Sequence, residues 1–253
     1  MADSKLTSLF TDIASAIREK NGSTDKIMAD SFPNAIRGIV SGDVNEMWKK
    51  IADKSFTEAN HQTITKVGTR AFINCTKLSL ADFPLCTDIG SYAFDGCTNL
   101  AYINFPECTK IGIGAFQSCK SLDTAYFPKC SKIIYNAFNS CTNLSSINFP
   151  VCVDINASAF KGCINITTVS FPMCTNISSY AFNGCQKLSE IYLGASQVCT
   201  LNNSNAFNRT PYTGYSSYFS GTPYIYVPHS LINSYKIASN WSYFSSYFSG
   251  AIL

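Results

Sequence analysis

"LAYINFPECTKIGIGAFQSC", residues 100–119, carries two cysteines eleven residues apart, and that spacing decides the fold. The step continues in both directions, from Cys75 to Cys185 without a gap. A disulfide framework, a metal array and a packing ladder are the competing explanations. Aligning the chain on its Ala-Phe dipeptides begins to separate them. Ala71-Phe72, Ala93-Phe94, Ala115-Phe116, Ala137-Phe138, Ala159-Phe160 and Ala181-Phe182 recur at twice the cysteine step, without exception. Ala206-Phe207 arrives three positions late after the sixth, so the pattern loosens there.

Other positions follow the same period. A β-branched residue stands four before each regular alanine: Val67, Ile89, Ile111, Ile133, Ile155 and Ile177. One cysteine follows each phenylalanine by three, as Cys97 follows Phe94, and Leu78, Leu100, Leu122, Leu144, Ile166 and Leu188 come next. Phe-Pro closes five coils, from Phe83-Pro84 to Phe171-Pro172, and a second cysteine lies two residues beyond each proline. The unit is therefore L-x-x-I-x-F-P-x-C-x-x-I-x-x-x-A-F-x-x-C. The spacing of Leu100, Ile103 and Phe105 predicts a short strand with one inward face. Pro106 ends it, having no N–H to give a ladder. Ile111 and the Ala-Phe pair are expected on the return side, in a turn or brief 3₁₀ segment. One coil cannot bury its own apolar face, so the coils must stack. With strands about 4.8 Å apart, six coils make a slab roughly 30 Å long.

The first part of the unit matches the leucine-rich-repeat core L-x-x-L-x-L-x-x-N/C. The whole unit resembles the BspA-like leucine-rich repeats, which carry an isoleucine, "AF", a nearby cysteine and a leucine at similar offsets. The resemblance covers residues 55 to 228 and implies a solenoid of 22-residue coils with short parallel strands. This chain departs from that pattern by placing cysteine after "FP", where valine is common.

All twelve cysteines fall in the repeats, eleven in register and Cys199 in the loosened coil. Stacked equivalent positions lie about 4.8 Å apart with parallel side-chain vectors, whereas a disulfide needs Cβ atoms about 3.5–4.5 Å apart and turned together. Zinc needs ligands converging on a point, and a step of eleven supplies a line, with two histidines in the chain, His61 and His229. Buried reduced thiols, filling space that leucine would overfill, are the expectation.

The two ends depart from the repeat. Leu6, Leu9, Phe10, Ile13, Ala16 and Ile17 form one helical stripe, stopped by Asn21-Gly22. "SFPNAIRGI" reads as a second short helix, and "NEMWKKIADKSF" as a third helical piece before an incomplete first coil, "TEANHQTITKV". Residues 1–44 are thus expected to form a helical attachment or oligomerisation module. Residues 45–199 would form the solenoid with its half-repeat, and 200–253 an irregular last repeat and an aromatic cap. The leader resembles short helical leaders of phage and prophage tail-associated proteins. "TPYIYVPHSLINSYKIASNW" predicts a strand, Pro228, and a helix turning Leu231, Ile232, Tyr235, Ala238 and Trp241 inward.

With 46% hydrophobic and 14% charged residues, the composition argues against disorder. The net charge of +3 comes from scattered cations, so no nucleic-acid partner is expected. No apolar run reaches the length of a spanning helix, and "MADSKLTSLFTDIASAIREK" lacks the form of a secretory signal. Membrane insertion is accordingly not expected, and a virion, extracellular or cell-surface location is. No nucleophile–base set, P-loop, H-E-x-x-H or dinucleotide fingerprint occurs, so no catalytic residue, metal or cofactor is expected.

Solenoids act through the positions their repeat leaves free. One free strand column reads Leu80, Tyr102, Thr124, Ser146, Thr168 and Glu190; the other reads Asp82, Asn104, Tyr126, Asn148, Ser170 and Tyr192. All of these from Tyr102 to Tyr192 form the expected ligand-binding face, suited to a host-surface protein or glycan. The expected function is recognition or adhesion by a phage tail-associated protein, its leader joining a tail or baseplate or self-associating. A bacterial surface adhesin and a ligand-free spacer are the alternatives.

Overall fold

In the computed structural model, which describes residues 57–60, 62, 64–214 and 222–251, each coil contributes two short strands joined by tight turns. The first strands are β1 (Glu58–Asn60), β3 (Leu80–Asp82), β5 (Tyr102–Asn104), β7 (Thr124–Tyr126), β9 (Ser146–Asn148), β11 (Thr168–Phe171), β13 (Glu190–Leu193) and β15 (Tyr224–Pro228). The second are β2 (Lys66–Val67), β4 (Asp88–Ile89), β6 (Lys110–Ile111), β8 (Lys132–Ile133), β10 (Asp154–Ile155), β12 (Asn176–Ile177) and β14 (Thr200–Leu201). Every pairing is parallel, and in the regular coils partners are one full coil apart, as Ala81 opposite Ile103 and Ile89 opposite Ile111. The helical stripe and pieces read in residues 1–44 and in "NEMWKKIADKSF" lie outside the described residues. Strands β1 and β2 fall within "TEANHQTITKV" and pair onto β3 and β4.

The return side corrects one expectation: Ile89, Ile111, Ile133, Ile155 and Ile177 do not sit in a turn but end two-residue strands. The turn on this side is the Ala-Phe segment that follows them. There the chain alternates right-handed residues with two left-handed ones, such as Tyr92 (φ 56°) and Gly96 (φ 73°). A left-handed conformation costs a non-glycine residue about 1–2 kcal/mol. It is offset by a third row of inter-coil hydrogen bonds. The N–H groups of Tyr92, Phe94 and Gly96 donate to carbonyls of Ile113, Ala115 and Gln117 in the next coil, at 2.8, 2.8 and 2.9 Å. Equivalent bonds recur up to Gly184 and Asn208. In the loosened coil the Asn205 side-chain oxygen accepts the Tyr180 N–H in place of a carbonyl.

Inside, the repeat phenylalanines form two stacked columns. Phe72, Phe94, Phe116, Phe138, Phe160, Phe182 and Phe207 stack ring on ring, with centroids 5.1 Å apart at the Phe72–Phe94 step and 5.6 Å at the last. Phe83, Phe105, Phe127 and Phe149 form the other column, tilted against the first. Offset and tilted contacts at these separations are favourable ring geometries. The C-terminal end closes differently from the sequence expectation. Instead of one helix, a 3₁₀ turn (His229–Leu231) leads into α1 (Ile232–Ile237), and a second 3₁₀ segment spans Trp241–Tyr247. A further strand, β16 (Phe248–Ala251), then pairs with β15. Tyr235 and Trp241 are buried as expected, and Leu231, Ile232 and Ala238 pack partly buried against the core. The Tyr235 hydroxyl accepts the Cys199 N–H at 2.9 Å, and the Trp241 Nε1–H donates to the Cys199 carbonyl at 2.6 Å.

Candidate functional site

Parallel register brings the free strand positions into two straight columns on one face of the coils. Glu58, Leu80 and Tyr102 are in register, as are Thr124 and Ser146, and Thr168, Glu190 and Tyr224. The other column runs through Asn60, Asp82 and Asn104, then Tyr126 and Asn148, then Ser170, Tyr192, Tyr226 and Ser249. Between them, Ala81, Ile103, Ala125, Ile147, Val169 and Ile191 point into the core. Thus the sequence-selected residues Tyr102, Asn104, Thr124, Tyr126, Ser146, Asn148, Thr168, Ser170, Glu190 and Tyr192 do share a face. They are not equally open. Tyr102 and Tyr126 are 52% and 54% exposed, whereas Asn104, Glu190 and Tyr192 are half-buried.

Local bonds explain the difference. Asn104 Nδ2 donates to Asp82 Oδ1 at 2.7 Å, linking adjacent coils. Glu190 Oε2 accepts from Thr168 Oγ1 at 3.3 Å and from the Tyr192 hydroxyl at 3.4 Å. The Tyr192 ring stacks on Tyr226 with centroids 4.4 Å apart and planes 11° from parallel. Burial, then the Glu190 carboxylate beside it, pushes the Tyr192 phenol above its ordinary range. Tyr224 and Tyr226 belong to this face although the column reading stopped at Tyr192. The alternation in "YIYVP" was the signal for them. The insertion before β15 hid it by carrying Tyr224 well past the regular step from its register partner Glu190.

The cysteines lie elsewhere. All twelve are buried thiols. Those after Ala-Phe donate from Sγ to the carbonyl of the preceding coil's phenylalanine: Cys97 to Phe72 at 2.9 Å, Cys119 to Phe94 at 3.2 Å, Cys141 to Phe116 at 3.0 Å. Those after Phe-Pro donate to a carbonyl two residues on, as Cys130 does to Lys132 at 3.1 Å. Burial pushes the Cys152 thiol up to about 12 and the Cys119 thiol well above the ordinary thiol value. A buried protonated thiol is a poor nucleophile and a poor metal ligand. Among the described residues no three His, Cys, Asp or Glu side chains are placed to hold a metal ion, and no helix is long and apolar enough to cross a membrane. His61 lies outside the described residues. His229 packs in the cap, where a Cβ added at Gly250 would come within 2.7 Å of its Nδ1.

The chain has recognisable relatives. The sequence profile described as "BspA type Leucine rich repeat region (6 copies)" matches residues 49–153, 109–227 and 153–246. A leucine rich cell surface protein from Faecalibacterium prausnitzii is 28% identical, with a TM-score of 0.52; the match covers 56% of this chain and 40% of that one. The leucine-rich-repeat protein of T. pallidum is 25% identical over 63% of this chain and 80% of its own, with a TM-score of 0.54. One from Eubacterium ventriosum has the same fold at 24% identity and a TM-score of 0.54, over 65% of this chain and 46% of its own. The chain therefore spans less than half of the Faecalibacterium protein and most of the T. pallidum one. No curated protein matches it.

Proposed function

Because the chain belongs to the BspA-type leucine-rich-repeat family, we propose that it is a non-enzymatic recognition protein whose strand face binds a partner on a cell surface. One observation carries this reading. The interior repeats almost residue for residue, while the two outward columns vary from coil to coil and are rich in tyrosine, hydroxyl and amide groups. A scaffold held constant beneath a varied surface is the arrangement by which solenoids discriminate partners. Tyrosine supplies large, rigid contact area with a polar tip.

The finer reading is attachment to a bacterial host from a phage or prophage tail, with residues 1–44 joining the tail or baseplate or self-associating. The resemblance of the leader "LTSLFTDIASAIREKNGSTDKI" to tail-associated leaders supports it. A cell-surface adhesin is the second reading, supported by the description of the Faecalibacterium relative as a cell surface protein. Labelled protein applied in parallel to bacterial and to epithelial cells distinguishes them: retention on bacteria favours the first, on epithelium the second. In either case Tyr102→Ala, Tyr126→Ala and Tyr192→Ala together abolish most of the retention while the melting temperature stays within a few degrees. Retention unchanged by the triple substitution rejects this face as the binding surface.

A further inference from the structure

We propose that the C-terminal end of the strand face is a neutral-glycan site, in which a pyranose ring stacks on the outer face of Tyr192 and hydrogen-bonds to Glu190. This deepens the reading of the strand face as the recognition surface and rests on it. Ser170, Tyr192, Tyr226 and Ser249 follow one another in register across β11, β13, β15 and β16. The two rings stack on each other at 4.4 Å, so each turns its second face toward a serine. A serine side chain is too short to cover a phenol ring, so the face of Tyr192 turned toward Ser170 is the platform. Tyr224, 42% exposed, leans on Tyr226 at 5.9 Å and widens the aromatic area.

The chemistry selects the ligand. The C–H face of a pyranose is apolar and weakly positive, which matches the negative face of an aromatic ring. The ring stack and the bond from the Tyr192 hydroxyl to Glu190 restrain the Tyr192 side chain, so less rotamer freedom is lost on binding. Hydroxyls at the sugar's rim need acceptors and donors. Both bonds made to Glu190 fall on Oε2, so Oε1 keeps its accepting capacity for a ligand hydroxyl. Thr168 and Ser170 supply further polar groups on the adjoining coil. Charge narrows the class. The two columns from Glu58 to Ser249 hold carboxylates at Glu58, Asp82 and Glu190 and no lysine or arginine. Such a face repels uronate, sialate or phosphate groups. A peptide with an aromatic anchor would also stack on Tyr192. It would leave the ring of hydroxyl, amide and carboxylate groups less well matched than a polyol does.

The test is calorimetric titration of the purified full chain with cellotetraose, maltotetraose, mannotetraose and chitotetraose as neutral probes, and with tetragalacturonate as the acidic counterpart. At least one neutral probe binds and tetragalacturonate does not. Tyr192→Ala weakens the bound probe by about tenfold and Glu190→Gln by a smaller factor. Tyr135→Ala, at an exposed ring in the Ala-Phe turn, leaves it unchanged. Silence from all four neutral probes overturns the proposal, as does binding indifferent to Tyr192→Ala or binding confined to tetragalacturonate. If the triple tyrosine variant loses cell retention while no neutral probe binds, the face is the recognition surface and its partner is a protein, so the glycan assignment alone falls.

Discussion

At Cys119 the thiol reaches the Phe94 carbonyl of the coil before it, a carbonyl that also receives the Cys97 N–H at 3.1 Å. The residue has to be small and apolar and still offer a donor, and cysteine is the side chain that meets all three demands. Alanine would leave the carbonyl's second lone pair without its thiol partner, and leucine would overfill the space. This gives the eleven-residue step a polar reason beside the steric one. It also fixes a pH dependence. Burial raises the pKa of eight of these thiols, and the Cys199 side chain together with burial raises that of Cys174. A folded pKa above the unfolded one means that the stability carried by the group is complete below the unfolded value, about 8.5 for a thiol. It drains as pH rises from there toward the folded value, by up to about 1.4 kcal/mol per pH unit for each thiol. We therefore expect cooperative alkaline unfolding to begin between about pH 9 and 10, followed by circular dichroism. Twelve thiols should react with a disulfide reagent once guanidinium unfolds the chain, and few before. A stability that stays flat to about pH 11, or a thiol count well below twelve, would contradict the buried-thiol ladder.

Elements were legible in the sequence to the extent that their determinants are side chains. The first strand of each coil follows from inward Leu, Ile and Phe, and its end from Pro. Tyr102 and Tyr126 could therefore be placed on the outer face from the repeat alone. The second, two-residue strand was not legible: one isoleucine fixes it, and no alternation is possible in two residues. Nor was the break in its ladder, where β6, paired with β4, and β8, paired with β10, are not paired with each other. The position after the isoleucine changes character at that break. It is Gly68, Gly90 and Gly112 in the early coils, then Ile134, Asn156 and Ser178. At Gly112 an added Cβ would sit 2.4 Å from the Ser91 nitrogen and 2.5 Å from the Gly90 carbonyl carbon, so these coils approach closely only because the side chain is absent. Ile134 carries a side chain at the position where Gly112 has none. Gly112→Val is accordingly expected to open the β4–β6 pairing and to cost about 1–3 kcal/mol, measured by urea unfolding. The same substitution at Ser178 should stay within about 0.5 kcal/mol. Equal costs at the two sites would remove the close-approach explanation. The aromatic end of the candidate site was missed for a related reason. Tyr224 and Tyr226 join the columns by register, and the longer last coil breaks the arithmetic that finds register from sequence.

For the whole molecule the repeat unit is the full coil and not the half-length step that the cysteines display, because the two cysteines of a coil do different work. The one after Ala-Phe bonds to the neighbouring coil, and the one after Phe-Pro bonds within its own turn. Each coil touches chiefly its two neighbours, and the stack is closed at its C-terminal end by Tyr235 and Trp241 docked on Cys199. Stability in such a stack is close to a sum of coil and interface contributions, so an interior coil is dispensable while an end is not. Deleting residues 109–130 joins Cys108 to Ser131, an equivalent junction one coil further along. Both phenylalanine columns, both ladders and the cap can then re-form around the gap. We expect a monodisperse protein with unchanged circular dichroism per residue and a melting temperature lower by several degrees. Deleting residues 109–119 removes half as much chain but sets the turn cysteine's surroundings against a strand position. It throws Phe127 out of its column and is expected to give an aggregated or unfolded product. If the shorter deletion folds as well as the longer, the true period is eleven, and the distinct roles assigned to the two cysteines are wrong. If neither folds, the coils are not interchangeable, and the separation of a constant interior from a freely variable strand face fails with them.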